Sequence, residues 1–493
     1  MIKRIARTQL FYSVAEKIVP ILTITTILLP VWMSPVHPAI ASYFILGYLI
    51  YFLYKSIKTV YFAAISFNLL KKAGKIHWLK KLEKEKSHRD YYHYIIITNY
   101  KESVSKMDET LKYIKEQHYP KDRISIILAM EEREGQPAKE RSAILSKKYA
   151  ADFREFDTTY HRLIPGEIVG KASNETYAAK FIDRLITKNN LDRKKVLITV
   201  CDADSLLPSD YLSYLTLEYI HDKKRLFHFY WAPVLLYNNF WKLSLPIRVQ
   251  SILSSVVRIS ILPQRENLIH VSTYSTNMWL LNEVGFWDPD IIPEDWHIWL
   301  QAFFKFGKEV RTLPIYLPIS ADAVYTDGFW KTYKNRYEQE RRWAWGVSDI
   351  PYAIVRFFDT PHIDPIIKIR KILFLVEHHL FWPSSFFILT LSAYIPPLIN
   401  PMFKRTVMGF LLPKLSSFIL TASSLMLVFI LYFDHKMREK VKVKTELKKL
   451  PMLFIQWYFL PVITFFFGSL PALDAHIRIL FGKKIEYKVT EKD

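Results

Sequence analysis

VLITVCDADS, from Val196 to Ser205, is apolar and largely β-branched for six residues and then turns acidic at Asp202 and Asp204. A strand buried on both faces of a parallel sheet reads as such a run, and acids at its carboxyl end belong on the edge where these sheets bind ligands. Working outward, YYHYIIITNY (Tyr91 to Tyr100) and ISIILAM (Ile124 to Met130) have the same character. Between them, SVSKMDETLKYIKEQHYP carries Val104, Met107, Leu111 and Ile114 at helical spacing and stops at Pro120. EEREGQPAKERSAILSKKYA reads as a loop and helix, and Thr176 to Lys188 as a further helix. Alternating strand and helix predicts a doubly wound α/β sheet over about residues 91–365, with Glu102, Glu131, Asp202 and Asp204 delivered to one edge.

On either side of this region the chain turns apolar. Val19 to Met33 and Ala39 to Tyr54 contain no charge and are joined by SPVHP. Each approaches the ~20 residues that cross a ~30 Å hydrocarbon layer, so residues 1–70 predict a helical hairpin rather than a cleaved signal. Three later runs, Phe374 to Leu398, Met408 to Phe433 and Leu450 to Leu470, predict further spans within 366–480. The first holds Glu377, His378 and His379, so its opening third is expected to lie flat on the membrane; the other two read as plain spans. Lys3, Arg4 and Arg7, the basic linker from Lys71 to Lys86, and the loop from His435 to Lys449 flank these runs. The positive-inside rule puts all three in the cytoplasm, with the middle domain. Five spans would put the basic tail, 481–493, on the opposite side, against its own charge; a re-entrant last segment would remove the conflict.

With 68 Lys and Arg against 47 Asp and Glu, the net charge is +21. The positives track the membrane flanks, which points to anionic lipid rather than nucleic acid. Only 12 glycines and one cysteine, Cys201, argue against Gly-rich phosphate loops, a disulfide framework or a cysteine zinc site. GEIVGKA (Gly166 to Ala172) has three residues between its glycines and Ala172 where a P-loop needs a hydroxyl. Asn174 to Thr176 matches a glycosylation acceptor but lies on the predicted cytoplasmic side. Glu377, His378 and His379 lack metal-ligand spacing and read as an interfacial helix face.

Three constellations carry chemistry. Asp202 and Asp204, two apart on an extended segment, share one side of the pleat and can reach a hard divalent cation; the alternative is an acidic turn. Glu294 and Asp295 follow Pro293 at the start of an apolar-periodic helix, where they are either a cap or the source of a general base. Gln339 and Arg342 share a helical face, where a guanidinium can grip phosphate, and Trp343 offers a face for a sugar ring; the alternative is a helix snorkelling at the membrane.

D-x-D, then E-D, then Q-x-x-R-W, all between two groups of spans, resembles the membrane-embedded family 2 glycosyltransferases, the branch with cellulose, chitin and hyaluronan synthases. TNYKE (Thr98 to Glu102) and VGKASN (Val169 to Asn174) add to the likeness. The resemblance implies a GT-A-like (Rossmann-like) cytoplasmic domain in the plasma membrane and an inverting, metal-dependent transfer from a nucleotide sugar, with a UDP-sugar favoured. It implies Mg²⁺ or Mn²⁺ on Asp202 and Asp204, and Asp295, with Glu294 beside it, as base. Tyr100, Glu102, Glu131, Lys171, Asp202, Gln339 and Arg342 would hold the donor, and Trp343 and Trp296 would border the acceptor. Glu131 stands where the family has Asp, and Trp296 also departs from cellulose synthase. A polysaccharide product coupled to export is the leading expectation, a single transfer to a lipid-linked acceptor the rival, and an inactive membrane scaffold or transporter the alternative from another class.

Overall fold

The computed structural model describes residues 9–440 and 449–485. Lys3, Arg4, Arg7, the middle of the basic loop and the end of the basic tail lie outside them.

Seven strands form one sheet: β1 (Tyr92–Asn99), β2 (Ile124–Glu131), β3 (Glu155–His161), β4 (Val196–Asp202), β5 (His228–Trp231), β7 (Tyr274–Asn277) and β8 (Arg311–Pro314), in the order β3-β2-β1-β4-β7-β5-β8. A two-residue ladder pairs β6 (Val234–Leu235) with β9 (Ile319–Ser320). All main pairings are parallel except those of β7 with β4 and β5. The predicted α/β class is the one present, and the antiparallel β7 is its one reversed strand. Every residue of β2 and most of β1 and β4 are buried, so both faces of the sheet are covered. Register sets the site: Thr98 lies beside Asp202 and Asn99 beside Met130, so β1, β2 and β4 end side by side.

The helices that matter for the site are α1 (Gln9–Met33), α2 (Pro38–Ala73), α3 (Val104–Lys115), α4 (Gln136–Tyr149), α5 (Lys171–Lys188), α6 (Tyr211–His221), α7 (Leu245–Ile261), α8 (Met278–Val284), α9 (Glu294–Phe306), α10 (Phe329–Ala344), α11 (Asp349–Asp359), α12 (Pro365–Thr390) and α13 (Val407–Lys440). α5 packs on β1, β2 and β3, and α7 docks on α2 and α13, tying the α/β domain to the apolar helices. The stretch from Glu377 is not a separate flat segment. It belongs to the unbroken α12, which ends at Thr390, short of the expected Leu398.

Among the described residues five helices are long and apolar enough to cross a membrane: α1, α2, α12, α13 and the stretch Pro451–Leu480. The last is not the plain span expected. It divides into α14 (Leu450–Ile455), α15 (Leu460–Thr464) and α16 (Leu470–Leu480), each opened by a proline, Pro451, Pro461 and Pro471. Proline suits the first turn of a helix and breaks an interior, so a Leu-Pro step every ten residues kinks the path. The segment starts with Lys449 over the Trp241 ring, passes α7, touches α10 and ends with Asp474 paired to Arg341. It therefore touches the α/β domain through α7 and α10, while α16 also packs on α1 and α12.

Candidate active site

A cavity of about 740 Å³ opens where β1, β2 and β4 end, and all twelve predicted site residues line it: Tyr100, Glu102, Glu131, Lys171, Asp202, Asp204, Glu294, Asp295, Trp296, Gln339, Arg342 and Trp343. Strand ends supply the first group. Tyr100 lies under the Arg133 guanidinium at 3.9 Å, and Arg133 also pairs with buried Glu131, which makes a flat, charged platform.

Lys171 opens α5 and is the cation set among the carboxylates. Its Nζ lies 2.8 Å from Asp202 Oδ1, 3.3 Å from Glu294 Oε1 and 3.4 Å from Glu175 Oε1. Burial would lower this lysine, but Asp202, Glu175 and Glu294 hold it well above its ordinary value. Burial, reinforced by Asp295 and opposed by Lys171, lifts Glu294 to about 7. Burial also raises Asp295, against Lys171 and the two N–H groups that donate to its carboxylate, those of Ser272 at 3.0 Å and Trp296 at 2.9 Å. The two adjacent acids thus differ in their partners: Asp295 accepts two backbone N–H groups, while Glu294 faces Lys171.

Asp204 is buried and accepts the Asp322 N–H at 3.0 Å, while the Asp322 carboxylate pairs with Lys106. Among the described residues no three His, Cys, Asp or Glu side chains converge to hold a metal. Mg²⁺ commonly takes one or two carboxylates and completes its shell with phosphate and water oxygens. Two carboxylates at one cavity wall, Asp202 and Asp204, suit that mode.

α10 supplies the third group. Arg336, buried, donates to Gln339 Oε1 at 2.5 Å and Gln250 Oε1 at 2.6 Å and pairs with Glu340, so the Gln339 amide is held by its neighbours. Arg336 and Arg258 lie 5.0 and 5.8 Å from the Trp343 ring.

Sequence reading missed several residues. Ser272 has a left-handed backbone, φ 64°; its N–H meets Asp295, its hydroxyl donates to Asp202, and its carbonyl accepts Lys171 at 3.3 Å. Arg258, Arg336, Glu175 and Asp322 reach the site from elements carrying no motif; the only local hint at Ser272 was a polar run, STYST, in an apolar context. Asn174, whose amide donates to Ala129 O at 2.8 Å, is buried and unsuited to carry a glycan.

Residues 197–433 match the family model Glycosyl transferase family group 2. The matched segment runs from β4 into α13 and contains Asp202, Asp204, Glu294, Asp295 and the whole Gln339 to Trp343 element; Tyr100, Glu131 and Lys171 precede it. With that match, the sheet takes its place as the GT-A-like α/β fold expected. No curated protein matches the sequence. Among solved structures, the mannosyltransferase PcManGT from Pyrobaculum calidifontis, in complex with GDP-Man and Mn²⁺, is similar at TM-score 0.43 and 12% identity, over 86% of this chain and 100% of that one. TarS 1-349 from S. aureus, in complex with UDP-GlcNAc, is similar at TM-score 0.37 and 12% identity, over 68% and 90%.

Proposed function

We propose that this protein is a membrane-embedded inverting glycosyltransferase that moves a sugar from a nucleotide-sugar donor, a UDP-sugar in the leading version, onto a growing polysaccharide. The observation that carries this reading is the convergence of three sequence-distant groups on one cavity: Asp202 with Asp204, Glu294 with Asp295, and Gln339 with Arg342 and Trp343. The catalytic domain faces the cytoplasm beneath the plasma membrane, consistent with the basic residues on its side of the apolar helices.

Tyr100, Glu102, Glu131 and Lys171 hold the nucleoside diphosphate at the strand ends. Asp202 and Asp204 would hold Mg²⁺ or Mn²⁺, which supplies positive charge against the diphosphate. Asp295, its carboxylate held by the Ser272 and Trp296 N–H groups, takes the proton of the acceptor hydroxyl. That oxygen bonds to the anomeric carbon as the carbon–phosphate oxygen bond breaks, inverting the centre, and Arg342 and Gln339 hold the departing diphosphate. Trp343 and Trp296 border the acceptor.

A single transfer to a lipid-linked acceptor is a second reading, favoured by the apolar side chains among the cavity's lining residues, Val257, Ile261, Ile463 and Phe467. Sizing the product separates the two, because only the first yields polymer. The direct test is release of nucleoside diphosphate from UDP-glucose, UDP-GlcNAc and GDP-mannose with Mg²⁺ or Mn²⁺. Asp295→Asn is expected to abolish release while still binding UDP or GDP, and wild-type turnover in that variant would refute the assignment.

A further inference from the structure

A buried acid beside Lys171 takes no part in the proposed reaction. Glu175, near the start of α5, is 0% exposed, and neither of its carboxylate oxygens has a hydrogen-bond partner among the described residues. The side chains around it are tied down: Ser173 Oγ donates to Ile168 O at 3.1 Å and Thr176 Oγ1 to Trp287 O at 2.7 Å, besides the Asn174 bond to Ala129. Among the described residues, the ion-pair partner of Glu175 is Lys171, 3.4 Å away. A buried carboxylate that accepts no hydrogen bond is costly, and one kept in place calls for an explanation.

Helix stability does not supply one. An i, i+4 pair stabilises best when the acid precedes the base, and a cation at a helix N-terminus opposes the dipole; Lys171, the first residue of α5, is misplaced in both respects. The other partners of the lysine are more informative. Its Nζ is nearest Asp202, at 2.8 Å, with Glu294 and the Ser272 carbonyl both at 3.3 Å. An ammonium has three protons, so it cannot serve these three acceptors and Glu175 equally. Asp202 is also one of the two carboxylates suited to a metal. A divalent cation and an ammonium on the same buried carboxylate repel each other, and the lysine then needs another anion within reach. Glu175 is such an anion, buried and committed to no other donor.

We propose that Glu175 is a positioning residue that takes over the Lys171 ammonium when a divalent cation occupies Asp202, so that lysine and metal do not compete for one carboxylate. The inference rests on the reading of Asp202 and Asp204 as the metal-holding pair. Lys171 neutralises Asp202 in the metal-free protein, and Glu175 keeps the same ammonium beside Glu294 once Asp202 is taken.

The test is metal binding rather than turnover. Purified full-length protein, without donor, is titrated with Mn²⁺, and the free ion is read by its electron paramagnetic resonance signal. Glu175→Gln keeps the volume and removes the charge, and it should weaken Mn²⁺ binding about tenfold because Lys171 stays on Asp202. In a Lys171→Met background the same substitution should change affinity by less than about twofold, since no ammonium is left to place. Asp204→Asn should abolish the binding. Equal losses in both backgrounds would mean that Glu175 acts only through its charge on the metal, and no loss in either would mean that Glu294 suffices. Either result overturns the proposal, as does Mn²⁺ retained by Asp204→Asn or not bound by the wild type. Tm reports whether each variant is folded, and if Glu175→Gln fails to fold, Glu175→Met enters the same cycle. Failure of the glycosyltransferase reading would show separately, as no diphosphate release from any nucleotide sugar.

Discussion

Ser272 is the joint between the carboxylates of the site. A left-handed backbone at a residue with a side chain costs about 1–2 kcal/mol, and such strain gathers where function over-determines the chain. Ser272→Gly relieves it but removes the hydroxyl that donates to Asp202, a bond worth roughly 1 kcal/mol. The expected result is a Tm near that of the wild type with diphosphate release reduced about tenfold, the loss of roughly 1.4 kcal/mol of stabilisation in the transition state. Lys171 poses the complementary test. Its charge opposes the rise of Glu294 and Asp295, so Lys171→Met should lift both and move the acid limb of the pH–rate profile to higher pH. An unmoved limb would mean that neither acid controls it. Lys171 and Glu294 were named from the sequence, but Ser272 and the contacts among the three were not, because they are far apart along the chain and meet only once β7 pairs with β4.

α9 carries Asp295, and what holds α9 is His297. This buried ring bonds Asp349 of α11 at 2.7 Å through Nδ1 and Asp288 at 2.9 Å through Nε2. Burial alone would lower it, but the two carboxylates raise it to about 9. A raised histidine contributes stability in full below its unfolded value of 6.5 and loses it as pH climbs through about 9. The contribution is on the order of 3 kcal/mol. His297→Gln should therefore lower Tm at pH 6, and its gap from the wild type should shrink by pH 9.5, as thermal unfolding at the two values will show. The core strands and the helices around them were legible in the sequence to within a few residues, because a buried parallel strand and an amphipathic helix have distinct periods. β3 was not, because this edge strand is only partly buried and lacks an apolar run, nor were the short β5, β7 and β8, whose four residues each carry too little pattern.

Among the described residues, four apolar helices and one kinked segment pack on one another and on the α/β domain. Because the kinked segment stays beside α7 and α10, Gly482 and Lys483 are expected on the domain's side of the membrane, which removes the conflict that five crossings would create. Cys201 is the only cysteine and is buried, so Lys483→Cys gives a clean reporter. A membrane-impermeant maleimide should label it in inside-out vesicles and not in right-side-out ones; the reverse pattern would make Pro451–Leu480 a true span. The residue types needed for the chemistry, the three motifs and the apolar runs are local properties, and the chain written out was enough to establish them. Their convergence was not, nor was the bend in the last segment or the place of His379, buried on the cavity wall rather than on an interfacial face. Those depend on strand order, on proline kinks acting against a neighbouring helix, and on which face of α12 meets Trp296. Each joins residues far apart in the chain, and no local pattern of hydrophobicity or charge encodes such a distance.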